Sequence, residues 1–380
     1  MDRDLLLLGA AHSLNHSLFL VLPPLLGEVA SDLGVSFQVI GSVTTVAFLL
    51  YGLGALVGGP LADRVGEVVV SRVSVALAGL SAAVFLLPWG MTSFAWGMYL
   101  IAIWASFYHP TANTLISKLY PENTAGAMGV HGAAASLGQV FTPTVAYWIG
   151  MTWGWRYAFV FFGAVSVVTG LALGAVPEPE RSGDGRVSYM SVLKRPGLWV
   201  IILFNIAIGL IFRGNELFFP TFLTQARGLS GQVAALANSA LLVFAVMGQL
   251  AGGWASDRWG SERVLIVASG GMVLSLLLLL LLPSPLVGVA LFIVVYGVSY
   301  FGHQPAGTSL LGRVASPGMM GAAYGVMFFF AFGLGSVSAA VVGYLADNFS
   351  LEVAYWILAG FASMALMTSL AIPRVIGREN

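Results

Sequence analysis

The chain has 380 residues, of which 58% are hydrophobic and only 8% charged, and its mean hydropathy is +0.90. A soluble globular domain carries about a quarter charged residues, so this composition excludes one and indicates an integral membrane protein. Lys+Arg and Asp+Glu balance at 16 each, which gives no footing for nucleic acid, and cysteine is absent, which removes disulfides, thiolate metal sites and cysteine nucleophiles.

In chain order, Met1-Asp2-Arg3-Asp4 runs straight into Leu5 with no basic leader and no small-residue cleavage site, so the first apolar run reads as a retained helix. A bilayer crossing needs about 20 apolar residues. Runs of that kind predict twelve helices, over residues 5–26, 37–60, 69–88, 93–117, 126–148 and 155–176 in the first half. In the second half they cover 197–223, 232–255, 263–283, 286–311, 319–345 and 351–373. With this count, 13 of the 16 basic residues fall on one side, only Arg156 and Arg227 on the other, and Arg213 inside a helix. The excess of positive charge places both termini in the cytoplasm of a multi-pass cell-membrane protein. The polar stretch 177–196 reads as a flexible cytoplasmic linker between six-helix bundles at 1–176 and 197–380.

The halves repeat. Ser106-Phe107-Tyr108-His109-Pro110 interrupts helix 4, and Tyr300-Phe301-Gly302-His303-Gln304-Pro305 interrupts helix 10, with the two histidines 194 positions apart. Gly59-Pro60-Leu61-Ala62-Asp63-Arg64-Val65-Gly66 after helix 2 returns at the same interval as Gly253-Trp254-Ala255-Ser256-Asp257-Arg258-Trp259-Gly260 after helix 8. A duplicated six-helix unit is a mark of parallel-repeat secondary transporters.

The Gly59–Gly66 stretch resembles the signature between helices 2 and 3 of the major facilitator superfamily, although Glu67-Val68-Val69 stand where basic residues usually follow. His12–Asn15, Phe107–Pro110 and Gly325–Asp347 are similar to the fosmidomycin-resistance-type efflux proteins of that superfamily. Gly129, Gly138 and Thr142-Pro143 resemble the antiporter motif of drug exporters, with threonine in place of its glycine before proline. The resemblance implies an all-α fold of two pseudo-two-fold related six-helix bundles and transport by alternating access, with no cofactor and no catalysis.

Ionisable groups deep in a membrane helix are costly and usually face a wet interior. Here they are His12 and His16 in helix 1, His109 in helix 4, His131 in helix 5, Arg213 and Glu216 in helix 7, and His303 in helix 10. Helices 3, 6, 9 and 12 have none at depth, so they are expected to face lipid. His12, Asn15 and His16 share a helix face and are expected to line a cavity, to pack between helices, or, as His12 and His16, to bind a metal. Arg213 offers a planar fork for an anion, and Glu216, three residues on, can pair with it or carry a proton. The expected substrate contacts are His12, Asn15, His16, His109, Asn113, Arg213, Asn215, His303 and Gln304. Proton coupling is assigned to Glu216 with His16, His109 and His303, the two repeat-related histidines facing each other across the pseudo-two-fold axis. Gating is assigned to His131 and to the loop charges Asp63, Arg64, Asp257 and Arg258. The resulting expectation is a monomer in the lipid bilayer that exports a small polar or anionic organic compound by proton-coupled antiport. A carrier of a metal ion or metal complex, an uptake carrier, and a membrane sensor or intramembrane hydrolase are the alternatives.

Overall fold

The computed structural model describes residues 2–180, 189–194, 196–314 and 320–376. Among these the chain is helical throughout, and twelve long rods carry the fold. In the first half they are α1 (Arg3–Leu33, with a 3-10 turn at Pro23–Leu25), α2 (Phe37–Val65), α3 (Glu67–Leu86), α4 (Met91–Ala105, then Tyr108–Leu119), α5 (Thr124–Trp153) and α6 (Trp155–Ala175). In the second half they are α7 (Pro196–Gln225), α8 (Gly231–Trp259), α9 (Ser261–Leu281), α10 (Pro285–Val314), α11 (Met320–Asn348) and α12 (Leu351–Ile376). Ten are long and apolar enough to cross a bilayer outright. The exceptions are α4, which is broken into segments of 15 and 12 residues, and α5, whose sequence is interrupted by polar residues and glycines.

The rods outrun their predicted ends where the repeat motif lies. Leu61-Ala62-Asp63-Arg64 continues α2 to Val65, and Ala255-Ser256-Asp257-Arg258 continues α8 to Trp259. Only the terminal glycines make the turn, Gly66 at φ +114° and Gly260 at φ +89°, a region open to glycine at little cost. The predicted loop charges therefore sit on last helical turns. Pro60 lies inside α2 and has no N–H for the Leu56 carbonyl. That carbonyl accepts a 2.7 Å hydrogen bond from the Tyr189 hydroxyl, on a short helix (Tyr189–Leu193) in the region read as linker. The linker is thus pinned where it is described, since Glu178 also accepts from the Val68 N–H at the start of α3. Linker residues 181–188 and 195 lie outside the described residues.

Two prolines related by the repeat act differently. Pro110 breaks α4 one turn upstream, leaving Ser106 and Phe107 between two helical segments. Pro305 stays within a continuous α10. In α11 a π-helical turn (Phe329–Gly333) and a 3-10 turn (Leu334–Ser336) separate two α segments, Met320–Phe328 and Val337–Asn348.

Side chains such as Val168 and Leu171 on α6, Val267 and Leu281 on α9, and Met367 on α12 are exposed apolar groups, as lipid-facing surfaces require. The halves meet along α2 with α11 and α5 with α8. Both crossings run on small residues at the end of the molecule away from the termini. A Cβ on Gly41 would stand 2.3 Å from the Ala339 carbonyl oxygen, and one on Gly231 2.5 Å from the Tyr147 hydroxyl. Thr45 and Ser336 exchange hydrogen bonds across this seam, and Thr144 and Ser239 meet at 2.8 Å. The Asp347 carboxylate of α11 accepts from the Phe37 and Gln38 N–H groups at the start of α2, so one half caps a helix of the other.

Candidate functional site

A cavity of about 320 Å³ opens between the halves, within the range that holds small organic ligands. Its wall is drawn from α1, α4, α5, α7, α8, α10 and α11, and from none of α3, α6, α9 and α12. The lining reaches past His109 to Asn113, and past His303 to Gly307 and Thr308, toward the end where the termini lie. The far end is where the halves are sealed together.

The first-half wall is a histidine cluster. Close packing of α1 on α5 builds it: a Cβ on Gly9 would lie 2.5 Å from that of Ala134, and one on Gly138 2.0 Å from the Ser13 hydroxyl. This approach brings His131 of α5 flat against His12, with ring centroids 4.5 Å apart at 22°. The His12 and His16 Nε2 atoms are 3.2 Å apart. His109, delivered by the break in α4, lies 4.7 Å from the His12 ring and 5.0 Å from the His16 ring. The sequence reading sent His131 to a gate beside Asp63 and Arg64; the structure sets it in this cluster instead, 3% exposed, with both ring nitrogens lacking a partner. His12 Nδ1 and His109 Nε2 are also buried without partners.

The second-half wall centres on Arg213, which is 4% exposed and paired with Glu216 one turn along α7. Its guanidinium lies 3.6 Å above the Phe48 ring of α2 and 4.8 Å from the ring of Phe332, so it reaches across to the other half inside an aromatic box. Arg213 Nε has no partner. Asn215 lines the cavity and accepts from the Tyr355 hydroxyl at 3.1 Å. His303 bonds the Tyr300 carbonyl through Nδ1 and packs against Phe204. Gln304 accepts from Gln249 at 3.2 Å, and Gln249 in turn accepts from Ser136 of α5 at 3.3 Å. His109 and His303 therefore occupy opposite walls of one cavity, each engaged with its own neighbours.

Other residues stand differently from expectation. Asn15 does not reach the cavity: its amide donates to the Ala105 carbonyl at 2.8 Å and accepts from Tyr51 at 3.1 Å, so an i+3 spacing that shares a face still pointed it at a neighbouring helix. Asp63, Arg64, Asp257 and Arg258 form no ion pair among the described residues; Arg258 lies over the Trp254 ring. The buried pair at that end is Glu67 with Lys118, at 2.5 Å, made by the residue that departs from the family signature. Phe328 lines the cavity and stacks on His109.

Sequence reasoning also passed over Asn205, Asn238 and Gln249, which line the cavity from α7 and α8. An uncharged amide inside an apolar helix is their signal, and a search restricted to ionisable groups misses it. Asn238 Nδ2 is buried with no partner.

Known proteins agree with this architecture. The chain is 26% identical to a gentisate transporter of Corynebacterium glutamicum, with 90% of this chain and 80% of that one covered. It is 25% identical to the fosmidomycin resistance protein of Escherichia coli, with 95% and 91% covered. A crystal structure of a nucleoside transporter superposes with a TM-score of 0.82 at 15% identity, covering 97% of this chain and all of that one. The family model of the Major Facilitator Superfamily matches residues 5–340. With its all-helical, multi-pass fold and a central cavity walled by both halves, the chain belongs to the Major Facilitator Superfamily of transporters.

Proposed function

We propose that the protein carries a small organic anion through this cavity in exchange for protons, and that the two bundles, 1–176 and 197–380, rock about it with the 177–196 linker and both termini on the cytoplasmic side of the cell membrane. The observation that carries this reading is Arg213. It is a buried guanidinium facing a cavity, with one N–H unpartnered and, among the described residues, a carboxylate on the same helix as its only ion partner. A carboxylate or phosphonate ligand competes for the same planar fork. Glu216, paired with Arg213 in the same desolvated wall, is the group that carries the proton. In an exchanger the anion and the proton occupy this pair on alternate strokes, so that each crosses only as the other returns. His12, His16, His109, His303, Asn113, Asn215 and Gln304 supply neutral hydrogen-bonding groups around the anion. The gentisate and fosmidomycin relatives support an anionic substrate. Sealing at the far end corresponds, in this orientation, to a cavity addressed from the cytoplasm, which suits loading for export.

The test is purified protein in liposomes with an imposed pH gradient and labelled gentisate, fosmidomycin and an uncharged nucleoside offered in turn. Uphill flux of an anion that collapses when the gradient is dissipated supports the reading. Flux of the nucleoside alone, or anion flux indifferent to Arg213→Ala, overturns it.

A further inference from the structure

The histidine wall has more capacity than anion transport requires. Four imidazoles meet with no carboxylate among them: the rings that touch the cluster from outside are Tyr108, Tyr51 and Phe328. Four of their ring nitrogens are buried and unpaired. Each buried polar atom left without a partner costs about 1–3 kcal/mol, and each neutral imidazole offers one lone pair, so the cluster suits something that accepts lone pairs.

We propose that His12, His16 and His109 bind a first-row divalent metal ion of the zinc, cobalt, nickel and copper group as neutral imidazoles. One ring nitrogen from each of the three lies within 4.8 Å of the other two. The closest pair, the Nε2 atoms of His12 and His16, is 3.2 Å apart. Tetrahedral coordination with metal–nitrogen bonds of 2.0–2.1 Å places ligand nitrogens about 3.3 Å from one another, so that pair already has its spacing and His109 closes the triangle by turning its ring. The i, i+4 placement of His12 and His16 on α1 is the spacing that sets two imidazoles on one metal. The donor set selects the metal class: imidazole nitrogen suits zinc, copper and nickel, while magnesium and calcium favour carboxylate oxygens, and no carboxylate stands among these histidines.

All three ligands line the cavity, so an ion enters from it and keeps one coordination position turned toward it. His131 lies behind, stacked on His12 and absent from the lining, where it fixes the orientation of that ring as a positioning residue. The site belongs wholly to α1, α4 and α5. It therefore moves with one half and does not clamp the two halves together. An oxyanion in the cavity can complete the metal's coordination from one side while Arg213 holds it from the other.

The experiment is titration of the tag-free full-length protein, in nanodiscs and without substrate, with cobalt(II) chloride. One equivalent binds saturably and gives the intense visible bands of a four-coordinate nitrogen site, which zinc then bleaches. His16→Ala and His109→Ala each weaken binding by at least about 100-fold, whereas His303→Ala and Arg213→Ala leave the spectrum unchanged. Absence of saturation, the pale spectrum of a six-coordinate aqua ion, or bands that survive both alanine variants overturns the site. Should the variants fail to fold, X-ray absorption of the zinc-loaded wild type decides, since fewer than two imidazole ligands is fatal. Arg213→Ala separates this proposal from the anion reading: it removes anion response and spares the metal.

Discussion

The two walls of the cavity descend from one repeated unit yet hold opposite chemistry. His109 and His303 are 194 residues apart in equivalent helices. Around His109 stand three more imidazoles. Around His303 stand aromatic rings and a backbone carbonyl, and the charge on that side is the Arg213–Glu216 pair. The helices differ as well, with α4 broken at its proline and α10 continuous through its own. Duplication preserved the scaffold that makes a cavity, and the contents of each wall then diverged. A pseudo-symmetric fold therefore guarantees where a site lies without guaranteeing that its two sides do the same work.

The largest expected effect that would break this comparison is at Arg213. Arg213→Ala strands Glu216 in a desolvated wall, which costs about 3–5 kcal/mol if the carboxylate stays charged, and it abolishes the thermal stabilisation that gentisate or fosmidomycin confers on the wild type. Retention of that stabilisation would show that anion recognition lies on the histidine wall. Next is Glu216→Gln, which keeps the shape and removes the titration. Anion exchange persists, while uphill flux driven by a pH gradient falls by roughly 100-fold or more, the scale on which a lost proton carrier acts. Equal uphill flux in both proteins would move coupling to the imidazoles.

The paired variants His109→Ala and His303→Ala sharpen the contrast directly. The first eliminates cobalt binding and the second spares it; equal loss in both would mean the walls share one site. A smaller effect is expected at the far-side seam. Gly41→Ala drives a methyl onto the Ala339 carbonyl, and strain of this kind costs about 1–3 kcal/mol. It loosens the seal between α2 and α11, so a cysteine placed there becomes more reactive to a membrane-impermeant reagent. Unchanged labelling would mean that the seam does not govern access.

Much of the fold was legible because each helix is announced by its own apolar run, and the assignment of α3, α6, α9 and α12 to the periphery followed from their lack of ionisable groups deep in the span. The rod ends were less legible. Leu-Ala-Asp-Arg reads as a loop by polarity, yet its residues are helix formers, and only Gly66 and Gly260 break the helix. The site was legible in its membership and not in its contacts. Helical spacing showed that His12 and His16 share a face, but it could not show that Gly9 and Gly138 draw α5 close enough to add His131. Nor could it reveal that Asn15 turns to Ala105 and Tyr51, or that Phe48 of α2 underlies Arg213 of α7, 165 positions later in the chain. These are long-range contacts, fixed by how rods pack and invisible to local periodicity.

The π-helical turn at Phe329–Gly333 has a mechanical meaning for α11. A π turn is an α-helix carrying one surplus residue, and one residue is about 100° of rotation and 1.5 Å of rise. The end of α11 that bears Phe328 is thus phased independently of the end that meets Gly41 and Phe37. Removing Ala331 would heal the helix into a single register and swing Phe328 away from His109 if the far end held its seam. The surplus residue acts as a gear offset, letting one rod serve a sealed interface at one end and a ligand cavity in its middle.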